Sequence, residues 1–297
     1  MDKEVINHYL EFGIYTNPGF YREALEALSD DIKATGNLVR SSFIHRTTLA
    51  IGNTGTNEDL RFGDMNQMPW YRQPEDDVLV TTPAMLAELY RRDSRGFIED
   101  RAPENKLVLT CRYVAVLMAS ILKSKGIPTR VRAGHAPYFD MGELGKVSTD
   151  HWINQYWDSE KNHWITIDVD GSWSLNEKFN PYDIPDNAFD FAADAWIKVR
   201  SGDVDPDYFY NAKPERGTIV VLWSLFYDFH CLMNNEIPYI HIPKYGRYDT
   251  FKTLGDTEYA KIDRLAELMV KPDDNLQELK QVWEADRDFR LLTGGLL

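Results

Sequence analysis

Cysteine is scarce in this chain, with Cys111 and Cys231 the only two among 297 residues. Two cysteines make no disulfide framework, so the fold has to rest on its core, and a reducing, cytoplasmic setting is expected. Basic charge is also in deficit: 33 Lys and Arg face 47 acidic residues, a net charge of -14. That balance argues against nucleic acid or an anionic membrane as the main partner. No apolar run approaches the roughly 18 residues that a membrane helix needs; Ile219–Tyr227 (IVVLWSLFY) is too short. The opening MDKEVINHYL carries early acids and no long apolar core, unlike a secretory signal. There is no CxxC, no HExxH and no loop of alternating acids, and the seven histidines are scattered. No metal and no cofactor are therefore expected.

What is present is material for a core. Hydrophobic content of 43% and aromatic content of 13% fit an ordered globular protein. The length allows one large domain, or a core domain with helical additions. Three regions follow, expected to pack as one compact unit: a helical region and flap over 1–100, a core over 101–185, and a helical region over 186–297.

In the first region Asn17-Pro18 reads as a helix start, with Phe20, Leu25, Leu28 and Ile32 close to one face and Gly36 ending the run. The polar stretch 52–77 reads as a partly ordered flap anchored by Met65, Met68, Trp70 and Tyr71. Thr82-Pro83 opens another helix, capped by Thr82. The central helix is predicted from about Thr110 to Lys125 and is apolar nearly all round, which places it inside a domain. Gly126 and Pro128 mark its end. TRVRAGHA then alternates like a strand, and a loop is expected over 136–149. Beyond Gly171 the chain reads as mostly helical, with Asp186 or Asn187 capping one of the helices. Strands that follow a helix as a hairpin, without crossovers, indicate an α+β fold with helical additions at both ends.

HWINQYW and HWITIDVD, with DSEKN between, read as a β-hairpin. A turn centred between Ser159 and Glu160 sets Ile153, Gln155 and Trp157 opposite Thr166, Trp164 and Asn162, and His151 opposite Asp168. Directly opposed Cβ atoms lie roughly 4.5–5.5 Å apart, within reach of a carboxylate–imidazole hydrogen bond. Cys111 at the start of the buried helix completes a thiol-nucleophile set of Cys111, His151 and Asp168.

A thiol attacks as thiolate, and an ordinary cysteine with pKa near ~8.5 is mostly protonated at neutral pH. The unpaired N–H groups and positive dipole end of a helix N-terminus lower that value, as does a neighbouring imidazole. Arg112 adds a nearby positive charge. Backbone N–H groups at the same place can receive an oxyanion. Cys231, inside the apolar LFYDFHCLMN, reads as core; His230 reads as a satisfied histidine, and His8, His45 and His241 show no constellation.

A cysteine opening an apolar helix, a KGIP helix exit, an RVRAG strand, then DHW and W-x-x-x-D on consecutive strands resemble the transglutaminase-like superfamily of papain-like thiol enzymes. The resemblance covers about residues 105–172 and implies a nucleophile helix packed on an antiparallel sheet. It also implies Cys111 as nucleophile, His151 as general base and acid, and Asp168 as the orienting carboxylate. Asp170 competes for the acid role, and His135 for that of His151. Asp150 points to the opposite face from His151. Asn105 and the backbone N–H of Cys111 are candidate oxyanion donors. The activity implied is acyl transfer from a peptide-like amide, an ester or a thioester, with hydrolysis slightly favoured. Amide formation with an amine acceptor is the alternative. A non-catalytic scaffold that keeps the fold is a further reading. Substrate, acceptor and oligomeric state are left open.

Overall fold

The computed structural model describes residues 2–45, 72, 75–139, 146–172, 178–211 and 215–290. It is a mixed α+β protein with a small parallel sheet and a larger, mainly antiparallel one. The chain divides into two compact units. The first comprises Ile6–Val131 and Ile153–Ile184; the second comprises Asp2–Val5, Arg132–Trp152 and Pro185–Leu297. Two strands, β3 (Thr129–Ala136) and β4 (Ser148–Asp158), run from one unit into the other. After α1 (Lys3–Leu10), the first unit contains α2 (Arg22–Glu26), α3 (Ile32–Ser41), β1 (Phe43–His45), α4 (Glu75–Val78), α5 (Thr82–Arg92), β2 (Leu107–Leu109) and α6 (Cys111–Ser124).

Helix α6 organises the first unit, and all 14 of its residues are buried. Its end falls where the sequence marks it. Gly126 adopts φ 75°, its N–H donates to Lys123 O at 3.0 Å, and the N–H of Ile127 donates to Leu122 O at 2.9 Å. Only glycine takes that backbone conformation at low cost, so the helix stops there. Leu25, Val39, Phe43, Met85, Leu86, Leu89, Ile165 and Ile167 form the core cluster with the helix. At roughly 1.5–3 kcal/mol per fully buried large apolar side chain, this packing dominates the unit's stability.

The approach to α6 is held from both sides. Phe43, Ile44 and His45 of β1 pair in parallel with Leu107, Val108 and Leu109 of β2. The buried Glu75 carboxylate accepts the N–H of Val108 at 2.8 Å and binds Arg72 at 2.6 Å and Arg92 at 2.7 Å.

The N-terminal segment differs from the single helix that periodicity predicts. A 3-10 turn (Gly19–Tyr21) and α2 are separated from α3 by a break, and Phe20 is fully exposed. Local hydrogen bonding causes the break: Asp31 Oδ1 caps α3 by accepting the N–H of Ala34 at 3.0 Å, and Ser29 Oγ accepts the N–H of Asp31 at 3.1 Å. Gly36 lies inside α3, where it makes room for Tyr182; a Cβ there would come 2.5 Å from that ring. The cap of α5 is Thr81, one residue before the expected Thr82. The expected flap is outside the described residues from 52 to 71, as are its anchors Met65, Met68, Trp70 and Tyr71; so are 140–145 of the expected 136–149 loop.

The hairpin exists, with a register two residues away from the expected one. Asn154, Gln155, Tyr156, Trp157 and Asp158 of β4 pair with Ile167, Thr166, Ile165, Trp164 and His163 of β5 (His163–Ile167). The turn takes four residues, because Asp158 Oδ1 accepts the N–H groups of Glu160 and Lys161, each at 3.0 Å, and Asn162 turns the chain at φ 56°. A shift of two keeps every side chain on its expected face. The pairing ends at Asn154 and Ile167, so no ladder pair joins His151 to Asp168.

In the second unit the end of β3 pairs with β6 (Asp190–Phe191), matching Gly134 to Phe191 and His135 to Asp190. Ser148 and Thr149 pair in parallel with Phe209 and Tyr210 of β7. Pairing claims Asp190 and Phe191, so α7 (Ala192–Ser201) follows directly instead of starting at a cap on Asp186 or Asn187. α8 (Thr218–Leu232) is buried along most of its length. α9 (Tyr248–Phe251), α10 (Asp256–Val270) and α11 (Leu276–Ala285) complete the unit. Asp228 ties α8 to β3, accepting Nε and Nη2 of Arg132, each at 2.8 Å, and the N–H of Ala133 at 2.9 Å. Among the described residues no helix is long and apolar enough to cross a membrane.

Candidate functional site

Cys111 is the first residue of α6 and is 5% exposed. Its predecessor Thr110 is extended at φ -111° and ψ 177° and gives no side-chain cap. The first-turn amides of α6 are therefore not taken up by the usual capping oxygen. The N–H of Cys111 meets the lone pair of His45 Nε2 instead, at 3.1 Å.

That contact follows from the small parallel sheet. His45 pairs with Leu109, the last residue before the turn into α6, so the imidazole stands where the helix begins. The same Nε2 lies 3.4 Å from Asp170 Oδ2. Arg40, in the last turn of α3, donates from Nε to the backbone oxygen of Asp170 at 2.8 Å and from Nη1 to that of Phe43 at 3.3 Å. It also stands 3.8 Å from Asp170 Oδ1. Arg40 thus fastens the turn carrying Asp170 to the start of the strand carrying His45.

Burial alone would pull the pKa of His45 down. The carboxylate of Asp170, together with the hydrogen bond and charge of Cys111, outweighs burial and the opposing Arg40, and the net effect is a rise above the ordinary imidazole value.

Asp168 is fully buried just beyond β5. Its N–H donates to Pro181 O at 2.8 Å, and its Oδ1 accepts the N–H of Gly171 at 2.7 Å. This side-chain-closed turn is what swings Asp170 to His45. Close by, Tyr182 donates to Asn37 Oδ1 at 3.1 Å; burial first, and the charge of Asp168 with it, push the Tyr182 pKa up to about 12.

Of the set predicted from sequence, Cys111 and Asp168 belong to the first unit and His151 to the second. His151 is buried on β4, with the rings of Phe139 and Tyr138 edge-on at 4.9 and 6.5 Å. Asp150, its neighbour, is half-buried. Asn105 closes the 3-10 turn Pro103–Asn105 before β2, and its carbonyl accepts Arg101 at 3.2 Å. His135 is fully buried against Phe209, ring centroids 4.7 Å apart. Cys231 is fully buried inside α8, as its apolar setting predicts. His230 is satisfied: Nε2 lies 3.0 Å from Phe289 O, and Nδ1 lies 3.1 Å from Asn235 Nδ2. Among the described residues no group of three or more His, Cys, Asp or Glu side chains is placed to hold a metal ion.

The residues that sequence reasoning missed are His45 and its support Arg40. RSSFIHR carries no motif, and the contact with Cys111 spans 66 residues. The one legible hint was Asp170, which the sequence reading held as a competitor for the acid role.

What the fold and site define is an α+β protein with an imidazole–carboxylate pair set on a cysteine at a helix N-terminus. Comparison with family models, curated proteins and solved structures gives no match.

Proposed function

We propose that the chain is a cysteine-nucleophile acyl-transfer enzyme with a transglutaminase-like core, acting on a peptide-like amide or a thioester. The observation that carries this reading is the placement of Cys111 as the first residue of a buried helix, with an imidazole nitrogen on its amide and a carboxylate beside that same nitrogen. Helix-end amides and a neighbouring positive charge are the features that turn a thiol into a thiolate near neutral pH.

The roles follow the family resemblance: Cys111 is the nucleophile, His151 the general base and acid, and Asp168 its orienting carboxylate. The Cys111 proton passes to His151, and the sulfur lone pair forms a bond to the substrate carbonyl carbon. The C=O π pair moves onto oxygen, giving an oxyanion met by N–H groups at the start of α6. Collapse re-forms the carbonyl and breaks the bond to the leaving group, which takes the proton from His151. Water, deprotonated by the same imidazole, then releases the acid and regenerates the thiol. An amine acceptor in place of water would give transamidation.

Alkylation by iodoacetamide with mass-spectrometric site assignment tests the reading. Cys111 should be modified below neutral pH far faster than Cys231, which is fully buried in α8. Slow alkylation of Cys111 rising only around an ordinary thiol pKa of ~8.5 would remove the basis for the enzyme.

A further inference from the structure

The His45 ring sets one nitrogen against two groups. In a relay the nucleophile and the orienting carboxylate sit on different ring nitrogens. Here one nitrogen, Nε2, faces both Cys111, at 3.1 Å from its backbone nitrogen, and Asp170 Oδ2, at 3.4 Å. The two contacts require opposite proton states. An unprotonated Nε2 accepts the Cys111 N–H and can donate nothing to Asp170. A protonated Nε2 donates to Asp170 and can accept nothing from Cys111.

We propose that His45, held by Asp170 and Arg40, is a second catalytic imidazole of the Cys111 site, one that acts as a cation. The proposal rests on the acyl-transfer reading of Cys111. As an imidazolium, His45 places a positive charge beside the sulfur and favours the thiolate. Protonation of the Nδ1–H tautomer, whose Nε2 lone pair holds the Cys111 N–H, also releases that N–H to bind the oxyanion of an amide, ester or thioester substrate. Activation of the nucleophile and opening of the oxyanion site are then one protonation event. The groups that set it are Asp170 on the turn after β5, Cys111 on α6 and Arg40 on α3; the first two favour the charged ring and Arg40 opposes it. Arg40 nonetheless belongs to the device, because its hydrogen bonds to the backbone oxygens of Asp170 and Phe43 fix the distance between carboxylate and ring.

The test is the pH profile of Cys111 alkylation by iodoacetamide in the full chain, for the wild type, His45→Gln and Asp170→Asn. His45→Gln keeps a polar side chain but cannot carry charge. It should cut alkylation at pH 6 by about tenfold or more, equivalent to a thiol pKa raised by about one unit. Asp170→Asn should shift the profile in the same direction by less. Rapid low-pH alkylation of the wild type, with an unchanged profile in a folded His45→Gln protein, overturns the role of His45 and leaves the acyl-transfer reading standing. A wild-type Cys111 unreactive below neutral pH overturns both. NMR titration of the His45 ring in the wild type and Cys111→Ser supplies a readout that does not depend on the folding of the His45 variant. Its pKa should fall when the thiol is removed, and an identical value in both proteins refutes the coupling.

Discussion

His45 Nε2 lies 3.1 Å from the backbone nitrogen of Cys111, a contact closed across 66 residues by three residue pairs between β1 and β2. A short parallel pairing thus delivers a titratable ring to the N-terminus of a helix whose first residue is a cysteine. Asp170 stands beside the same ring nitrogen, and Asp168 closes the turn that brings it there. Neighbouring carboxylates two residues apart therefore have separable tasks.

Substitution should separate them. Cys111→Ala and His151→Ala are each expected to remove nearly all turnover, and the double variant should be little worse, because groups acting as a unit are strongly non-additive. Asp168→Asn should leave weak residual activity, down by about 10³–10⁴-fold if it orients the base. Asp170→Asn should chiefly move the pH profile. A screen of chromogenic peptide amides and thioesters, followed by kinetics on the best substrate, provides the measurement. Full turnover in folded Cys111→Ala would end the enzyme reading.

The difference between what was legible and what was not lies in the range of the interactions. Helix α6 was readable because its signals are local: an apolar run, then Gly126 at positive φ, then Pro128. The hairpin was readable for the same reason, but its register was not. Asp158 and Asn162 stretch the turn to four residues, and a composition-based reading has no means of counting those hydrogen bonds in advance. His45 was illegible because its partner strand lies more than 60 residues away and the pairing is only three residues long. Gly36 was misread as a helix end because its reason for being glycine, the ring of Tyr182, comes from the far side of the unit's sequence.

Gly36→Ala accordingly makes a sharp packing test. Alanine has the higher helix propensity, so in an exposed helix the change would stabilise by up to about 1 kcal/mol. Here the new Cβ would stand 2.5 Å from Tyr182 Cε1 and Oη. Overpacking of this kind costs roughly 1–3 kcal/mol, so a net loss of stability is expected. Urea denaturation reads it, and a stabilised Gly36→Ala protein would show that Tyr182 does not hold this position.

The Arg132–Asp228 pair offers a test in the second unit. Asp228 is fully buried and accepts three hydrogen bonds, from Arg132 Nε and Nη2 and from the N–H of Ala133. Asp228→Ala leaves a buried guanidinium and a strand N–H without their acceptor. Breaking one side of a buried pair costs about 3–5 kcal/mol. The prediction is a fall of that order in unfolding free energy, and a loss below about 1 kcal/mol would contradict it, since that is the range of solvent-exposed pairs.

Acid sensitivity should come from the buried histidines. His135 is fully buried, neither ring nitrogen makes a hydrogen bond among the described residues, and burial pulls its pKa down to about 3. His230 is pulled to about 4 by burial, with its hydrogen bond to the Phe289 carbonyl opposing. Both folded values lie below the ordinary imidazole value near ~6.5. The unfolded chain therefore binds these protons first as pH falls, and stability is lost progressively below about 6.5. At pH 5 the loss is on the order of 2 kcal/mol for each ring, from about 1.5 pKa units of unfolded-state protonation. His45, with its raised value, contributes in the opposite sense: its stabilisation is present below the unfolded value and lost as pH rises through the folded one. Comparing His135→Leu with the wild type cancels the His45 and His230 contributions. Leucine is apolar and cannot be protonated, so the variant should lose about 2 kcal/mol less than the wild type between pH 7.5 and pH 5 in urea unfolding. Parallel losses in the two proteins would mean that His135 is protonated in the folded state, with a partner that stabilises its charge.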